Sequence, residues 1–426
     1  MHYLIDFKGF ADIKLNLFQG VTVLIGKNGS GKTNVIEGVE LFGQLAQGCP
    51  LYEVTDLGKG GGRFEIRGGL SSCVRMGKDK FTLVFGESIL YQGRSENFDY
   101  HIQIQTRSDG DRISKEYLKL GNRTIFQATL ENPSSDLLHG TYDNFAKGRN
   151  RKLTLSSDRS LLSRYESFTN EVSYKKPYQQ TLQVVNALRN YLKASFVFDP
   201  QPKTMRDYER IGQRSLLRDG SNLSSVLYSL SQSDKKKDQQ ALASILRRIQ
   251  HVPEEPFEDF DFTTTARNDV LLGMKFKSQV IDARLLSDGS LRALAVFTAL
   301  ETVSSGSRIV IEEFDNGVHP SRVKELTDAI WDCQQRRKLN VLVTTHNPAV
   351  LNTLSRKQLE GVMLCYWDER ERASQLLYLL DLSKADVFLE RGDLGDLVTR
   401  DVIATHLFPD FEEQQKDSAK RWLEAL

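Results

Sequence analysis

The stretch that decides the fold is GKNGSGKT (26–33), which lies between the apolar run VTVLI (21–25) and NVIEGVELFGQLA (34–46). The first run is short and β-branched, as in a buried strand, and the second has apolar residues at helical spacing. The loop fits G-x-x-x-x-G-K-[ST], in which glycines let backbone N–H groups surround phosphates, the lysine adds a positive charge and the threonine hydroxyl ligates Mg²⁺. A Gly-rich turn is the structural alternative, but the strand–loop–helix context favours phosphate binding. The predicted phosphate-binding residues are Gly26, Lys27, Asn28, Gly29, Ser30, Gly31, Lys32, Thr33 and Asn34.

Composition describes an ordinary globular chain of roughly two to three domains. The 426 residues are 39% hydrophobic and 27% charged, with a net charge of +1, so no global charge favours nucleic acid or anionic membrane. The cysteines form no C-x-x-C pair, which argues against structural zinc and a disulfide framework. We find no signal peptide and no apolar run long enough to span a bilayer, and we therefore expect a soluble, cytoplasmic protein without membrane contact. The cysteines are Cys49, Cys73, Cys333 and Cys365.

Three regions follow one another along the chain. Residues 1–130 contain strands that lead into the loop, a helix after it, and then strand-like runs separated by turns, which predict an antiparallel meander. Residues 131–256 are polar and predicted to be mainly helical, and residues 257–426 contain two buried parallel strands bordered by helices. The predicted fold class is α/β.

Two acids end a downstream apolar strand in RIVIEEFDNGVHP (308–320). The carboxyl ends of strands are where open α/β sheets bind ligands. Glu312 is predicted to help hold Mg²⁺, and Glu313 to polarise the water that attacks a phosphoryl group. A solvated strand edge is the structural alternative.

Two further motifs flank this strand. In LLSDGSLR (285–292), Ser287 and Gly289 lie at a helix start, where a hydroxyl and free N–H groups suit an anion; alone, this is an N-cap. In VLVTTHNP (341–348), His346 follows a strand, where an imidazole could contact a phosphate or the attacking water.

Together and in this order, the motifs resemble those of a known family. GKNGSGKT resembles a Walker A motif, LSDGS an ABC signature, IVIEE a Walker B motif with its catalytic glutamate, FDN a D-loop and TTH a switch histidine. The chain is similar to ABC-type ATPases of the soluble, DNA-associated kind (RecF, SMC heads and OLD-type ATPases, in the AAA group), whose shorter bacterial relatives often serve anti-phage defence. The resemblance implies a P-loop NTPase head with a mostly parallel core sheet, an N-terminal antiparallel meander and a helical insertion.

The resemblance also implies a mechanism in which two heads pack head to tail around two ATP molecules. Lys32, Thr33 and Glu312 would bind Mg²⁺ and ATP in one subunit, while Ser287 and Gly289 would reach the γ-phosphate of the partner. The remaining roles are Glu313 as general base, Asp315 in communication across the dimer and His346 as γ-phosphate sensor. Glu312 replaces the usual aspartate, which puts the metal contact and the hydrolysis rate in doubt, and no Q-loop glutamine is assigned.

Three functions remain open from sequence. The leading one is an ATPase that forms a homodimer or higher homo-oligomer and regulates a separately encoded, nuclease-like effector in anti-phage defence. The acids after His346 do not form the arrangement of a TOPRIM-like nuclease, which favours a separate effector. These acids are Asp368, Asp381, Asp386, Asp393 and Asp396.

The main rival is a RecF/SMC-like clamp that binds DNA in repair. Residues 203–218 place arginines four apart, which on one helix would form a basic stripe, although Gly212 and neighbouring acids favour arginines paired with local carboxylates. A nucleotide-binding scaffold with little hydrolysis is the third. The arginines are Arg206, Arg210, Arg214 and Arg218.

Overall fold

The computed structural model describes residues 1–17, 20–58, 64–91, 94–146, 150–169, 175–193, 195–252 and 256–382. Asp386, Asp393 and Asp396, which the sequence argument against a nuclease used, lie outside the described residues. Among the described helices, none combines the length and the hydrophobicity needed to cross a bilayer.

The strands within the described residues are short, apart from two long neighbours in the meander. They are β1 (His2–Phe7), β2 (Phe10–Leu15), β3 (Val21–Ile25), β4 (Val54–Asp56), β5 (Phe64–Ile66), β6 (Lys80–Tyr91), β7 (Arg94–Gln105), β8 (Arg112–Leu120), β9 (Arg123–Leu130), β10 (Leu137–Tyr142), β11 (Arg151–Ser156), β12 (Ser195–Phe198), β13 (Glu209–Arg210), β14 (Asp259–Thr264), β15 (Asp269–Phe276), β16 (Gln279–Asp282), β17 (Arg308–Ile311), β18 (Asn340–Thr345), β19 (Val362–Asp368) and β20 (Ala373–Tyr378).

The helices of the described residues range from a single turn to five turns. They are α1 (Lys32–Ala46), α2 (Tyr165–Phe168), α3 (Lys175–Lys193), α4 (Leu223–Ser231), α5 (Lys236–Ile249), α6 (Asp288–Thr302), α7 (Val323–Arg337) and α8 (Ala349–Asn352). Short 3₁₀ helices lie at Leu51–Glu53, Leu70–Cys73, Leu162–Arg164, Thr204–Arg206, Pro320–Arg322, Gln358–Gly361 and Leu379–Asp381.

The chain divides into two compact units that differ from the three predicted regions. The first unit comprises Met1–Phe18, Gly29–Ser195 and Tyr366–Leu376, and the second comprises Gln19–Asn28, Phe196–Cys365 and the chain from Leu377 onward. The domain boundaries at 130 and 256 stay predictions. We describe the two units separately.

The first unit is built on the predicted antiparallel meander. Its strands lie in the order β11-β10-β9-β8-β7-β6-β1-β2, and each neighbouring pair is antiparallel. Helix α1 packs in this unit, where the ring of Phe42 stacks on the buried Tyr100 with centroids 5.7 Å apart. The aromatic contact and the surrounding apolar side chains fix the helix that follows the phosphate-binding loop.

Strands β10 and β11 correct the prediction that residues from 131 onward are mainly helical. They extend the meander by an antiparallel pair, with Leu138 and Leu153 buried. Strand β10 approaches β9 closely at Gly140, because a Cβ there would lie 2.6 Å from Ala128 on β9. The alternation of apolar and polar residues in LLHGTY and RKLTLS is a strand pattern that the helical interpretation overlooked. The predicted helices downstream, α3 and α5, are present.

The second unit contains the predicted parallel strands, in the order β19-β3-β18-β17-β12. Strands β3, β17 and β18 are parallel, and Ile25 lies opposite Thr345 while Ile311 lies opposite Val343. Their side chains are almost entirely buried, as expected for a parallel sheet. The α/β prediction is confirmed.

Helix α6 lies in the core of the second unit. Most of its residues are buried, and its length is packed into the same hydrophobic cluster as the parallel strands. At its carboxyl end, the buried Arg337 donates to the carbonyl oxygens of Leu300 and Val303. A helix held in this way keeps its first turn, which begins after Ser287, in a defined place within the unit.

Candidate functional site

The phosphate-binding loop has the predicted strand–loop–helix context. Strand β3 ends at Ile25 and α1 begins at Lys32. Gly29 and Gly31 have φ values of 82° and 112°, in the left-handed region that glycine adopts without strain. A Cβ on Gly31 would also lie 3.0 Å from the ring of Phe10 and from the Ser374 hydroxyl. Both the backbone angle and the space therefore require glycine at this position.

The amino end of α1 has the properties of an anion site. No side chain caps the helix, and its first turn contains no acid. Lys32 is buried, Thr33 and Asn34 are partly exposed, and the loop tip at Lys27, Asn28 and Gly29 is exposed. A helix N-terminus carries a partial positive charge and free N–H groups, which suit phosphate oxygens. The residues present therefore fit a nucleotide.

The acid pair, Glu312 and Glu313, follows β17 at the carboxyl edge of the parallel strands of the second unit. Gly26 follows β3 and His346 follows β18 at the same edge. The backbone N–H of Glu312 donates to the carbonyl of Phe198 at 3.0 Å, and its largely buried carboxylate pairs with Arg218 at 3.6 Å. The carboxylate of Glu312 is the type of oxygen donor that Mg²⁺ prefers.

Glu313 leaves the strand through an unusual backbone turn. Its φ is 43°, which is uncommon for a residue other than glycine, and its N–H donates to the Thr344 hydroxyl at 3.0 Å. The carboxylate is partly exposed, accepts a hydrogen bond from Asn316 Nδ2 at 3.1 Å, and lies 3.6 Å from Nδ1 of His346. The turn therefore brings together the predicted general base and the predicted switch histidine.

Asp315 occupies a buried position in the second unit. It is 5% exposed, and burial raises the pKa of its carboxyl, while hydrogen bonds from Thr345 and Asn347 act in the opposite direction. Its carboxylate thus connects the turn after the acid pair to the segment that carries His346. The predicted role of Asp315 across a dimer stays a prediction.

We call residues 283–290 the signature turn. Ser287 caps α6, because its Oγ accepts a hydrogen bond from the backbone N–H of Ser290 at 3.0 Å. Ser287 and Asp288 are exposed, whereas Gly289 is buried against the backbone of Gly317. A Cβ on Gly289 would lie 2.9 Å from the carbonyl carbon of Gly317 and closer still to its oxygen. Gly289 therefore allows close packing inside the unit, whereas Ser287 is exposed to solvent.

The proposed arginine stripe at 203–218 is not a helix. The segment contains a 3₁₀ helix at Thr204–Arg206 and strand β13, and Gly212 has a φ of 109°. Arg206 pairs with Asp288, Arg210 with Asp269 and Arg218 with Glu312. The favoured interpretation predicts arginines paired with acids rather than a basic stripe, and the pairing is present, but with acids distant in sequence rather than local ones.

Sequence reasoning missed one cation beside the acids. Arg292 lies on α6, where burial lowers the pKa of its guanidinium and surrounding carboxylates raise it. The sequence around Arg292 shows only one of the surrounding acids, Asp288, since the others come from other parts of the chain. The carboxylates are those of Asp199, Glu313, Asp288 and Asp315.

Comparison with known families identifies the class of the chain. Residues 21–352 match the family described as "AAA domain, putative AbiEii toxin, Type IV TA system". Because this span covers more than half of the 426 residues, the chain belongs to this AAA family. The predicted AAA ATPase family is confirmed at this level.

Solved structures similar to this chain include three SMC heads. An SMC head bound to the C-terminal winged-helix domain of ScpA has a TM-score of 0.46 at 12% identity, covering 88% of this chain and 96% of that chain. The SMC head domain from Thermotoga maritima has a TM-score of 0.36 at 12% identity, covering 88% and 97%.

A Pyrococcus furiosus SMC head with an extended coiled coil, bound to the C-terminal domain of ScpA, has a TM-score of 0.41 at 13% identity, covering 92% and 98%. The comparison with curated proteins finds no significant match. The family assignment therefore rests on the sequence match over residues 21–352.

Proposed function

We propose that the chain is an ATPase that hydrolyses ATP in a head-to-tail homodimer and regulates a separately encoded effector through its nucleotide state. The observation that carries the proposal is the common edge of the second unit at which Gly26, the acid pair and His346 emerge. Phosphoryl transfer needs a positioned water and neutralised phosphate charge, and these side-chain types supply both.

The first unit supplies phosphate binding in this proposal. Lys32 and the N–H groups at the start of α1 would bind the phosphates, and the Thr33 hydroxyl and the Glu312 carboxylate are the groups that would hold Mg²⁺. The metal, when bound, neutralises charge on the phosphate oxygens. The Glu312 carboxylate, which lies 3.6 Å from Arg218, would be the acidic ligand of that metal.

Glu313 accepts the proton of the attacking water. Asn316 donates to Oε2 of the carboxylate, and Oε1 faces Nδ1 of His346 at 3.6 Å, an arrangement that orients the carboxylate and leaves it partly exposed to water. His346 contacts the γ-phosphate and transmits its presence to Asp315 through the segment Thr345–Asn347. Ser287 completes the nucleotide site of the partner.

The proposed effector is a toxic or nuclease-like protein encoded separately. The family description names an AbiEii toxin of a type IV toxin–antitoxin system. We extend this to anti-phage defence, in which ATP closes the dimer and hydrolysis opens it, so that the dimer state sets the activity of a nuclease-like or toxic partner. The chain acts in the cytoplasm in this proposal.

Mixing two variants tests the shared sites. Lys32→Ala removes phosphate binding, and Ser287→Arg places bulk and charge where the partner's nucleotide sits. In the mixed dimer, one site carries both defects and the other joins an intact loop to an intact signature. Recovery of hydrolysis that neither variant shows alone supports the proposal. No recovery, although mass spectrometry detects mixed dimers, contradicts it.

The rival function, a DNA clamp in repair, makes a different prediction. Its strongest feature was the arginine stripe, and three of those arginines pair with carboxylates instead. ATP turnover measured with and without double-stranded DNA separates the two. Unchanged turnover, and no DNA binding at low salt, supports the effector-regulating ATPase, whereas stimulation that falls steeply with salt supports the clamp.

A further inference from the structure

The side chain of Arg206 reaches the signature turn from a distant part of the second unit. Its Nη1 lies 3.1, 2.9 and 2.8 Å from the carbonyl oxygens of Ala283, Arg284 and Leu286. Its Nη2 donates to the carboxylate of Asp288. One guanidinium thus contacts acceptors both before and after Ser287.

These contacts add to those that hold the turn preceding α6 from within the core, where the Ala283 N–H donates to the Leu272 carbonyl at 2.8 Å and Leu286 is buried. Ser287 and Ser290 bond to each other inside the helix cap, and Arg284 pairs with Asp282 beside it. Neither interaction reaches another part of the fold. Arg206 does, and a planar guanidinium with five donors can serve several acceptors at once, which an ammonium cannot.

The backbone beneath Arg206 is itself fixed. The neighbouring Met205 is 1% exposed and belongs to the hydrophobic core of the second unit. Gln201 N–H donates to the Asp219 carbonyl at 2.9 Å, and the Thr204 hydroxyl donates to the Gln201 carbonyl at 2.9 Å. The guanidinium therefore projects from a rigid base, as a positioning group requires.

We infer that Arg206 is a positioning residue for the signature turn, which it holds so that Ser287 and the start of α6 face a second copy of the chain. This inference rests on the proposed function, because the signature acts on the partner's nucleotide. The turn that Arg206 contacts also carries the exposed Leu285, which has 77% of its surface accessible. Removal of the guanidinium keeps Ser287 but leaves the turn that carries it less rigidly positioned.

Arg206→Ala is the test variant, and Arg210→Ala is its matched control. Arg210 lies four residues along the same segment but contacts Arg267 and Asp269 instead of the signature turn. We expect Arg206→Ala to weaken ATP-dependent dimerisation by about tenfold or more, since charge-assisted hydrogen bonds are lost, with nucleotide binding by the monomer unchanged. Arg206→Lys keeps the charge and is expected to recover part of the loss.

Mixed dimers separate positioning from general damage. Because the defect of Arg206→Ala lies in the signature, this variant is expected to recover hydrolysis when mixed with Lys32→Ala and not when mixed with Ser287→Arg. A variant with general damage to the second unit is expected to recover hydrolysis neither with Lys32→Ala nor with Ser287→Arg. If the reference pair of Lys32→Ala and Ser287→Arg fails to recover, the shared-site function itself is wrong.

Hydrogen–deuterium exchange of the nucleotide-free monomer keeps the inference testable without activity. Amides of residues 283–291 are expected to exchange faster in Arg206→Ala than in wild type or Arg210→Ala. Unchanged exchange there overturns the inference, as does a failure to recover with Lys32→Ala when the reference pair recovers.

Discussion

Gly289→Ala tests the close packing between the signature turn and the turn after the acid pair. A Cβ at this position would lie 2.9 Å from the carbonyl carbon of Gly317 and 3.4 Å from Cα of Val318. Ordinary contacts between carbon atoms are about 3.5–4.0 Å, and the Gly317 carbonyl oxygen would be closer to the Cβ than either carbon, so the backbone must move by about 1 Å or more. No flexible side chain absorbs the change, because all three neighbouring atoms belong to the main chain.

The expected cost follows from the rigidity of that neighbour. Overpacking in a well-packed region costs about 1–3 kcal/mol. Alanine gains less than about 1 kcal/mol over glycine in the first turn of a helix, which offsets part of the cost. We therefore expect the free energy of unfolding to fall by about 1–2 kcal/mol. Turnover is expected to fall as well, because Gly317 lies in the turn that follows Glu313 and Asp315.

Gly86→Ala is the matched control, and urea denaturation with a steady-state ATPase assay measures both variants. A Cβ on Gly86 would meet its nearest neighbours at 3.8 and 3.9 Å, which are ordinary contacts. This control is expected to leave stability unchanged or slightly raised, and turnover unchanged. If Gly289→Ala matches Gly86→Ala in both measurements, the packing argument is refuted.

Three further substitutions test phosphate binding, the dimer surface and the buried carboxyl of Asp315. Lys32→Ala is expected to abolish binding of a fluorescent ATP analogue, because it removes the cation beside the phosphates, whereas the exposed Lys14 is a control whose alanine variant binds normally. Leu285→Asp is expected to weaken ATP-dependent dimerisation in analytical ultracentrifugation with a stability change within about 0.5 kcal/mol, and Met76→Asp, at a 96% exposed residue of the first unit, is the control. Because the folded-state pKa of Asp315 is raised, the penalty for its ionised form disappears below the unfolded pKa. Wild type is therefore expected to gain stability relative to Asp315→Asn as pH falls towards 4 in denaturant titrations, and a difference independent of pH contradicts this.

The parts of the fold that sequence predicts are those in which local pattern and chemistry agree. VTVLI, the glycine loop and the following helix appear as β3, the loop and α1, since strand, turn and helix each have a short-range cause. The acid pair follows β17, and His346 follows β18, at the same edge of the parallel strands. Strands β10 and β11 carry the same period-2 alternation, but short strands in a polar region give a weak signal.

The parts that sequence could not predict depend on partners far along the chain. The left-handed backbone of Glu313 is stabilised by the Thr344 hydroxyl, which lies 31 residues away. Arg206 has the four-residue spacing of a helical stripe, yet its acceptors lie 77 to 82 residues downstream. Spacing within a segment says nothing about such acceptors, so the sequence favours pairing with neighbouring acids and cannot identify the distant carboxylate and carbonyl partners.

The nucleotide-controlled dimer is tested by the oligomeric state and nucleotide content of Glu313→Gln in the presence of Mg²⁺ and ATP. The glutamine side chain has the same size, and its amide oxygen can still accept the hydrogen bond from Asn316. The amide cannot accept the proton of the attacking water. We predict retained ATP binding, lost turnover and a stable dimer that contains unhydrolysed ATP, whereas wild type returns to monomer as ATP is consumed. Turnover close to wild type, with no dimer retained, would contradict the assignment of Glu313 and the nucleotide-controlled dimer built on it.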